Sequence, residues 1–181
     1  MYTEEQIIDG CANNDRKMQK ELYDKYSPVL YAICLRYARN RDDAKDILQD
    51  GFVRIFLNIN QFSRQHSFEG WMKRIMINTS ITHYKQNSKY YYQQDISEVE
   101  QTTVLTEHFD SDEFTREELM NVLQSISDGY RMVFNLYVLE GFKHREIADT
   151  LGIDVATSKS QFHRAKKIIQ EKLKKLTKEK V

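Results

Sequence analysis

Residues 43–59, DAKDILQDGFVRIFLNI, carry apolar residues at positions i, i+3, i+4, i+7, i+8 and onward. That spacing places them along one side of an α-helix. The apolar positions are Ala44, Ile47, Leu48, Gly51, Phe52, Ile55, Phe56 and Ile59. Asp42 and Asp43 stand where a capping residue and first-turn negative charge favour helix formation. We therefore predict a helix that starts here and buries its apolar side in a core.

Helical spacing also precedes and follows this segment. The preceding stripe comprises Met18, Leu22, Tyr26, Val29, Leu30, Ile33, Cys34 and Tyr37. Ser27 and Pro28 interrupt it in the pattern of an N-cap followed by proline at the first helical position, which predicts two helices meeting at a bend. After a polar loop at 60–66, a further helix is expected to follow Ser67. Its inward side chains are Phe68, Met72, Ile75 and Met76.

The middle of the chain lacks such a pattern. Periodicity fails beyond Lys85, and residues 88–115 contain one basic residue, Lys89, against seven acidic ones. A polar acidic stretch with few branched apolar residues cannot form its own core. We expect a flexible linker there.

Helical patterns resume at Thr115, which forms a capping-box sequence with Glu118. A turn is predicted at 127–129, followed by a helix that ends near Gly141. A short helix that ends at Gly152 and a last helix capped by Asp154 are predicted to follow. No strand pattern persists beyond a few residues. The predicted fold is all-α, with helical domains at 1–88 and 115–181 joined by an acidic linker at 89–114.

Composition excludes several classes of protein. The 181 residues hold 27 basic and 27 acidic side chains and no apolar run of the roughly 18 residues that a membrane helix needs. The N-terminal segment is acidic where a signal peptide is basic. Cys11 and Cys34 lack the spacing of a zinc site or a disulfide framework. We expect a cytoplasmic protein without membrane insertion, metal, cofactor or catalytic residues.

The segment 144–164 has the layout of a helix-turn-helix, with Gly152 in the turn. In that motif the second helix places its N-terminal residues on base edges in the major groove. The residues predicted to face outward there are Thr157, Lys159, Ser160, Gln161, Arg164 and Lys167. Residues 155–181 carry nine basic side chains against two acidic ones, which suits a polyanion. The alternative is a solvated helix face in an ordinary bundle.

A second candidate nucleic-acid surface lies in 71–92, where aromatic and basic residues alternate. Trp71, Arg74 and Asn78 have the spacing of one helix face, predicted to lie opposite the core, and Lys73 adds charge. Aromatic rings beside cations suit unpaired bases. The alternative is that Trp71 belongs to the core.

The helix at 43–59 has an unusual second face, formed by Asp46, Gln49, Asp50, Val53 and Leu57. Carboxylates beside exposed aliphatic residues suit docking of a basic partner helix better than exposure to water. A solvated face is the alternative. Paired carboxylates also occur in glycosidase and metal sites, but no second acidic pair or neighbouring histidine supports either.

These segments resemble bacterial sigma-70-like factors of the short, extracytoplasmic-function group, which have only the second and fourth sigma regions. The matching segments are DAKDILQDGFVRIF (43–56), Phe62 and FEGWMKRIMINT (68–79), then GFKHREIADTLGI (141–153) and TSKSQFHRA (157–165). The resemblance covers about residues 11–87 and 117–175. It departs from the family pattern at Ala156, Ser158 and Gln161, and Gln161 replaces a commoner arginine that donates to guanine or phosphate.

The resemblance implies partners and roles for these residues. The 46–57 face would dock on the clamp helices of the largest polymerase subunit, and the fourth region on the flap of the second subunit. The face with Trp71, Lys73, Arg74 and Asn78 would contact the DNA of the minus 10 element where its strands open. The loop with Asn60, Phe62, Ser63 and Arg64 would hold a flipped-out base. The last helix would meet the minus 35 element, the linker would run through basic polymerase channels, and an anti-sigma protein would hold the factor.

The sequence thus predicts a transcription initiation factor that binds RNA polymerase core and promoter DNA, both duplex and single-stranded. Two other classes stay open. A stand-alone helix-turn-helix regulator would bind promoter duplex without polymerase, but it leaves the 46–57 face and the Trp71 face unexplained. An enzyme acting on nucleic acid would need an acidic metal cluster or an activated nucleophile, and the sequence offers neither.

Overall fold

The structure, a computed structural model, describes residues 2–91 and 114–179. These ranges contain eight α-helices and a short 3₁₀ turn, without any strand. The chain divides into two compact units, residues 1–83 and 84–181. The all-α prediction with two helical domains is confirmed. Most of the predicted linker lies outside the described residues, so the boundaries at 88 and 115 stay predictions.

The N-terminal unit contains three complete helices, the 3₁₀ turn and most of a fourth helix, whose residues 84–91 belong to the second unit. They are α1 (Glu4–Ala12), α2 (Arg16–Tyr37), α3 (Arg41–Asn58), the turn Ile59–Gln61 and α4 (Phe68–Tyr91). Two of the helices have well-formed N-caps. The Thr3 hydroxyl accepts from the Gln6 amide at 3.2 Å, and an Asp15 carboxylate oxygen accepts from the Lys17 amide at 2.8 Å. These bonds satisfy first-turn N–H groups that have no partner inside the helix.

The start of α3 differs from the prediction. Asn40, in extended conformation, is the capping residue, and its side-chain oxygen accepts from the amides of Asp42 and Asp43 at 2.9 and 2.8 Å. The two aspartates that were predicted as the cap therefore lie inside the first turn. Their negative charge still favours the positive end of the helix.

The predicted bend at Pro28 is wrong, because α2 is one continuous helix of 22 residues with Pro28 inside it. Proline removes one backbone donor and crowds the preceding turn, which normally breaks a helix. Burial on both sides of the proline offsets this effect. Leu22 and Leu30 are fully buried and lie on the same side of α2 before and after it.

The core of the N-terminal unit fixes α3 against α2 and α4. Ala44 and Ile55 of α3 are fully buried, as are Met72 and Met76 of α4. A side chain at Gly51 would bring its Cβ within 2.2 Å of the Met76 sulfur. Glycine thus permits the close approach of α3 to α4, and the outer side of α3 has a fixed orientation. Helix α4 continues to Tyr91, past the end predicted near Lys85.

The C-terminal unit contains α5 (Arg116–Gln124), α6 (Asp128–Val138), α7 (His144–Leu151) and α8 (Val155–Glu179). The capping box predicted for Thr115 is confirmed. The Thr115 amide donates to the Glu118 carboxylate at 2.7 Å, and the Glu118 amide donates to the Thr115 hydroxyl at 3.2 Å. The turn predicted at 127–129 is wrong. Ser127 is the N-cap of α6, whose first residues are Asp128 and Gly129.

The turn between α7 and α8 has the conformation expected of a helix-turn-helix. Gly152 has φ +70° and ψ +39°, a left-handed conformation that a side chain disfavours. Its amide and that of Ile153 donate to the Ala148 carbonyl at 2.9 and 3.1 Å. Helix α8 then begins directly after Asp154, as predicted. Three α8 side chains, Ser158, Ala165 and Leu173, are buried on its inner side.

Candidate functional site

The outer face of α3 is exposed along its whole length, as predicted. Asp46, Gln49, Asp50, Val53 and Leu57 are all exposed. Val53 and Leu57 retain 51% and 75% of their accessible surface. The two carboxylates and two aliphatic groups form one continuous surface on a helix whose opposite side is held in the core. The structure therefore brings this set together.

A residue that was not predicted to belong to this surface borders it. The Nε2 atom of His83, on α4, lies 3.9 Å from a carboxylate oxygen of Asp50. A protonated His83 would form an ion pair with that carboxylate. Nothing in the sequence connects positions 33 residues apart, so only the packing of α3 on α4 reveals the neighbour.

The loop between α3 and α4 has two fixed points. Arg64 is exposed and adopts a left-handed backbone with φ +58°, and its guanidinium forms an ion pair with Asp9 of α1. The Phe62 ring packs on Phe68 and Trp71 at centroid distances of 5.0 and 5.5 Å. Asn60 lies in the 3₁₀ turn and, like Ser63, is exposed. Among the predicted loop residues, Phe62 and Arg64 are therefore held by other side chains, whereas Asn60 and Ser63 are exposed.

Trp71 was predicted to lie opposite the core, but it lies at the edge of the core. Its side chain is half-buried, and its ring stacks on buried Phe68 at 5.7 Å with an interplanar angle of 15°. The spacing misled because position 71 lies about 100° from Met72, which is at the centre of the buried side of α4. Part of the indole therefore remains accessible to solvent.

The other residues predicted on the same side of α4 are more accessible. Arg74 and Asn78 are exposed. Half-buried Lys73 forms an ion pair with Glu69 one turn earlier. Both side chains of this pair keep about two-fifths of their accessible surface, and ion pairs in such contact with solvent contribute little to stability, so Lys73 can exchange partners at small cost.

Only some of the residues predicted to face outward on α8 are exposed. Lys159 and Ser160 are exposed, and Thr157 and Lys167 are half-buried. Arg164 is half-buried and donates to the Tyr130 hydroxyl at 3.2 Å. The helix presents hydroxyl and ammonium groups together at its N-terminal half, which fits the chemistry of a DNA groove.

Gln161 is turned inward, so its predicted outward position is wrong. Its side-chain oxygen is buried and has no hydrogen-bond partner among the described residues. Its amide nitrogen lies 3.3 Å from the point where a Cβ on Gly129 would stand. The reason is geometric, because residues 159 and 161 lie about 200° apart around a helix and cannot both face outward. His163, which the sequence analysis passed over, is exposed on the outer side instead.

A polar cluster joins α7 to α8 beneath this surface. The His144 ring stacks on Tyr137 at 4.6 Å, and its Nδ1 lies 3.0 Å from the buried Ser158 hydroxyl. Desolvation, followed by the positive charges of Lys159 and His163, lowers the pKa of His144 from its ordinary value. A neutral His144 therefore favours the packing that orients α8.

Other chemistries have no structural counterpart in the described ranges. No group of three histidine, cysteine or acidic side chains could hold a metal ion there. Cys11 and Cys34 are buried free thiols, and burial raises the pKa of the Cys34 thiol to about 12. None of the described helices combines the length and apolar character needed to cross a bilayer.

Two family models match the parts of the chain that carry these surfaces. Residues 22–90 match the family model of Sigma-70 region 2, and residues 116–169 match that of Sigma-70, region 4. The first match contains α3 and α4, and the second contains the helix-turn-helix. Together they take in most of the chain.

Relatives are similar over nearly their full length. The chain is 28% identical to the ECF RNA polymerase sigma factor SigW of Bacillus subtilis, over 93% of this chain and 96% of that protein. It is 24% identical to the ECF RNA polymerase sigma-E factor of Haemophilus influenzae, over 96% of this chain and 97% of that protein. Among solved structures it is similar to the sigma factor RpoE of Bartonella quintana in complex with the anti-sigma factor NepR. That likeness has 21% identity, a TM-score of 0.49, and covers 86% of this chain and 96% of that one.

Two sigma regions on one chain define the class of protein as a sigma factor. The chain belongs to the sigma-70 family of RNA polymerase sigma factors, in its extracytoplasmic-function group. The resemblance found in the sequence is thereby confirmed.

Proposed function

We propose that this chain binds RNA polymerase core, directs it to promoters and takes part in strand opening, without catalysing a reaction itself. The observation that carries this proposal is that one chain presents two unlike surfaces. The outer face of α3 suits a basic protein partner, whereas α8 offers hydroxyl and cationic groups to duplex DNA. A stand-alone regulator would need only the second surface.

In the N-terminal unit, we assign polymerase docking to Asp46, Gln49, Asp50, Val53 and Leu57. Carboxylates attract a basic helix, and Val53 and Leu57 offer it an apolar contact. The clamp helices of the largest subunit are the proposed partner.

Recognition and melting at the minus 10 element are assigned to the loop and to α4. The proposed set is Asn60, Phe62, Ser63, Arg64, Trp71, Lys73, Arg74 and Asn78. The half-buried Trp71 indole can contact an unpaired base, and neighbouring cations can neutralise phosphate. Of the predicted loop residues, Phe62 and Arg64 are held by other residues, whereas Asn60 and Ser63 are exposed and can meet a base.

In the C-terminal unit, the minus 35 contacts are assigned to Thr157, Lys159, Ser160, Arg164 and Lys167. We add His163, since it lies on the outer side between Ser160 and Lys167. Gln161 is assigned to packing between α6 and α8 rather than to base contact.

Further partners follow from the family. We propose the flap of the second polymerase subunit for the C-terminal unit and an anti-sigma protein as inhibitor. The linker at 89–114 is proposed to run through basic polymerase channels. The cytoplasm, where core polymerase and promoter DNA meet, is the proposed location.

Core-dependent run-off transcription tests the function, and a pre-melted promoter isolates the opening step. Arg74→Ala should lower transcription from duplex promoter much more than from a template already unpaired at minus 10, because contacts of Arg74 with the separated strands offset the cost of unpairing, which the pre-melted template does not require. Asn78→Ala should behave in the same way. Both residues are exposed, so the fold should keep its stability within about 0.5 kcal/mol.

Arg16→Ala provides a control of equal charge change on α2, where Arg16 is exposed. It should transcribe both templates like the unchanged protein. Failure of the unchanged chain to support initiation with core would contradict the proposed function. Equal loss by Arg74→Ala on both templates would contradict the assignment of that residue to opening.

A further inference from the structure

Helix α8 is longer than a DNA-reading helix needs to be. Its 25 residues, Val155–Glu179, span about 37 Å at the usual helical rise. The major groove of B-DNA is only about 12 Å wide. If the N-terminal half of α8 lies in the groove, its C-terminal half must continue past the phosphates at the groove edge.

The outer side of α8 is basic along this extra length. At about 100° per residue, Lys167, Lys174 and Lys178 lie within about 60° of Ser160 and His163 around the helix. We call these three lysines the lysine ridge. Lys178 is exposed, and Lys167 and Lys174 are half-buried. Exposed Glu171 is the acidic side chain on the same side in the described part of α8.

Packing fixes the direction of the lysine ridge. Phe114, Val122 and Leu173 form a buried cluster on the other side of α8. Leu119 of α5 and Ile169 and Leu176 of α8 pack against that cluster. Because the inner side is held by α5, the C-terminal half of α8 cannot roll, and the ridge keeps the orientation of the DNA-facing residues.

We propose that the lysine ridge binds the phosphate backbone of duplex DNA flanking the minus 35 element, through Lys174 and Lys178 beyond the base-contacting residues. This inference rests on the proposed function and extends it from base recognition to a sequence-independent contact. Ammonium groups in line along a rigid helix match a polyanion, and neutralising phosphates releases condensed counterions. The Glu171 carboxylate repels the phosphates and so weakens the attraction between the lysine ridge and the DNA.

The test uses holoenzyme assembled from core and the full chain, titrated against promoter duplex at several salt concentrations. Lys174→Gln with Lys178→Gln should reduce the slope of log affinity against log salt by about 2, since each phosphate contact contributes about 0.9. At 0.1 M salt each lost contact should weaken binding by up to about eightfold. Discrimination between the correct and a mutated minus 35 sequence should stay unchanged.

Two comparisons exclude loss of folding or of net charge as the cause. Lys166→Gln with Lys172→Gln removes the same charge from half-buried positions that flank the packed side of α8, and it should leave the slope unchanged. Glu171→Gln should strengthen binding, which no unfolded variant can do.

The duplex itself supplies the deciding arm. On a duplex trimmed to the minus 35 element, the holoenzyme with Lys174→Gln and Lys178→Gln should have the same affinity and the same salt slope as the unchanged holoenzyme. A difference that persists on the trimmed duplex would overturn the proposal, because the lysines would then act on polymerase. An equal slope change in the Lys166/Lys172 control would also overturn it. Failure of the unchanged holoenzyme to bind any promoter would contradict the proposed function instead.

Discussion

Gln161 provides the sharpest test of the packing in the C-terminal unit. Its side-chain oxygen is buried without a hydrogen-bond partner among the described residues, and its amide rests against α6 at Gly129. Methionine has similar length and no buried acceptor to satisfy. We therefore expect Gln161→Met to stabilise the C-terminal unit.

The magnitude follows from the cost of an unpaired buried polar group, about 1–3 kcal/mol. Because the Gln161 side chain as a whole is half-buried, the lower end applies, and the free energy of unfolding should rise by about 1 kcal/mol. For a domain of this size, that change raises the midpoint of thermal unfolding by about 4–8 °C.

Calorimetry of the full chain measures this change in the transition of the C-terminal unit. Gln170→Met is the matched control, since it is the same substitution on the same helix at a half-buried position whose oxygen is not among the buried unpaired atoms. It should change stability by less than about 0.5 kcal/mol. Affinity of the Gln161→Met holoenzyme for the minus 35 duplex should stay within twofold.

Two results would refute the reasoning. A lowered midpoint for Gln161→Met would mean that the amide is satisfied and stabilising. A tenfold loss of duplex affinity at unchanged stability would mean that Gln161 contacts DNA, as the helix spacing alone suggested.

Two further predictions concern charge. Asp50→Lys should weaken binding to core polymerase at least about tenfold in a pull-down titration, because like charges at an interface are costly, whereas Asp149→Lys, an exposed reversal in the other unit, should not. The stability of the C-terminal unit should fall as pH drops below 6.5, the ordinary pKa of His144, because its folded pKa is lower and the unfolded state binds the extra proton. Urea midpoints between pH 5 and 7.5 measure this, and His144→Asn should flatten the dependence.

Where one side of a helix is apolar, the sequence predicted the fold well. The stripe on α3 and the capping box at Thr115 agree with the structure. The errors fall where local rules compete. The Ser27–Pro28 pattern predicted a helix start, but α2 continues through it because Leu22 and Leu30 are both buried on one side of the helix. At α3 the cap was predicted at Asp42 and Asp43, but Asn40 is the capping residue, because its backbone is extended and its side chain reaches the first-turn amides.

Contacts between distant segments could not be predicted from spacing. Asp9 and Arg64 are 55 residues apart, and only the packing of α1 beside the loop brings them together. Gln161 is different, because its inward orientation was available from the sequence. A side chain two positions from Lys159 points to nearly the opposite side of a helix. The same geometry would have placed His163 on the outer side.

The double packing of α8 explains why the orientation of its outer side can be specific. Its N-terminal half is held through Ser158 and Ala165, and its C-terminal half through Leu173 against α5. A shift of one residue in this packing would rotate the helix by about 100° and replace the DNA-facing side with another. Substitutions at Ser160 or His163 can therefore alter base preference without disturbing the fold. Substitutions at the buried positions would instead change which side of α8 meets the DNA.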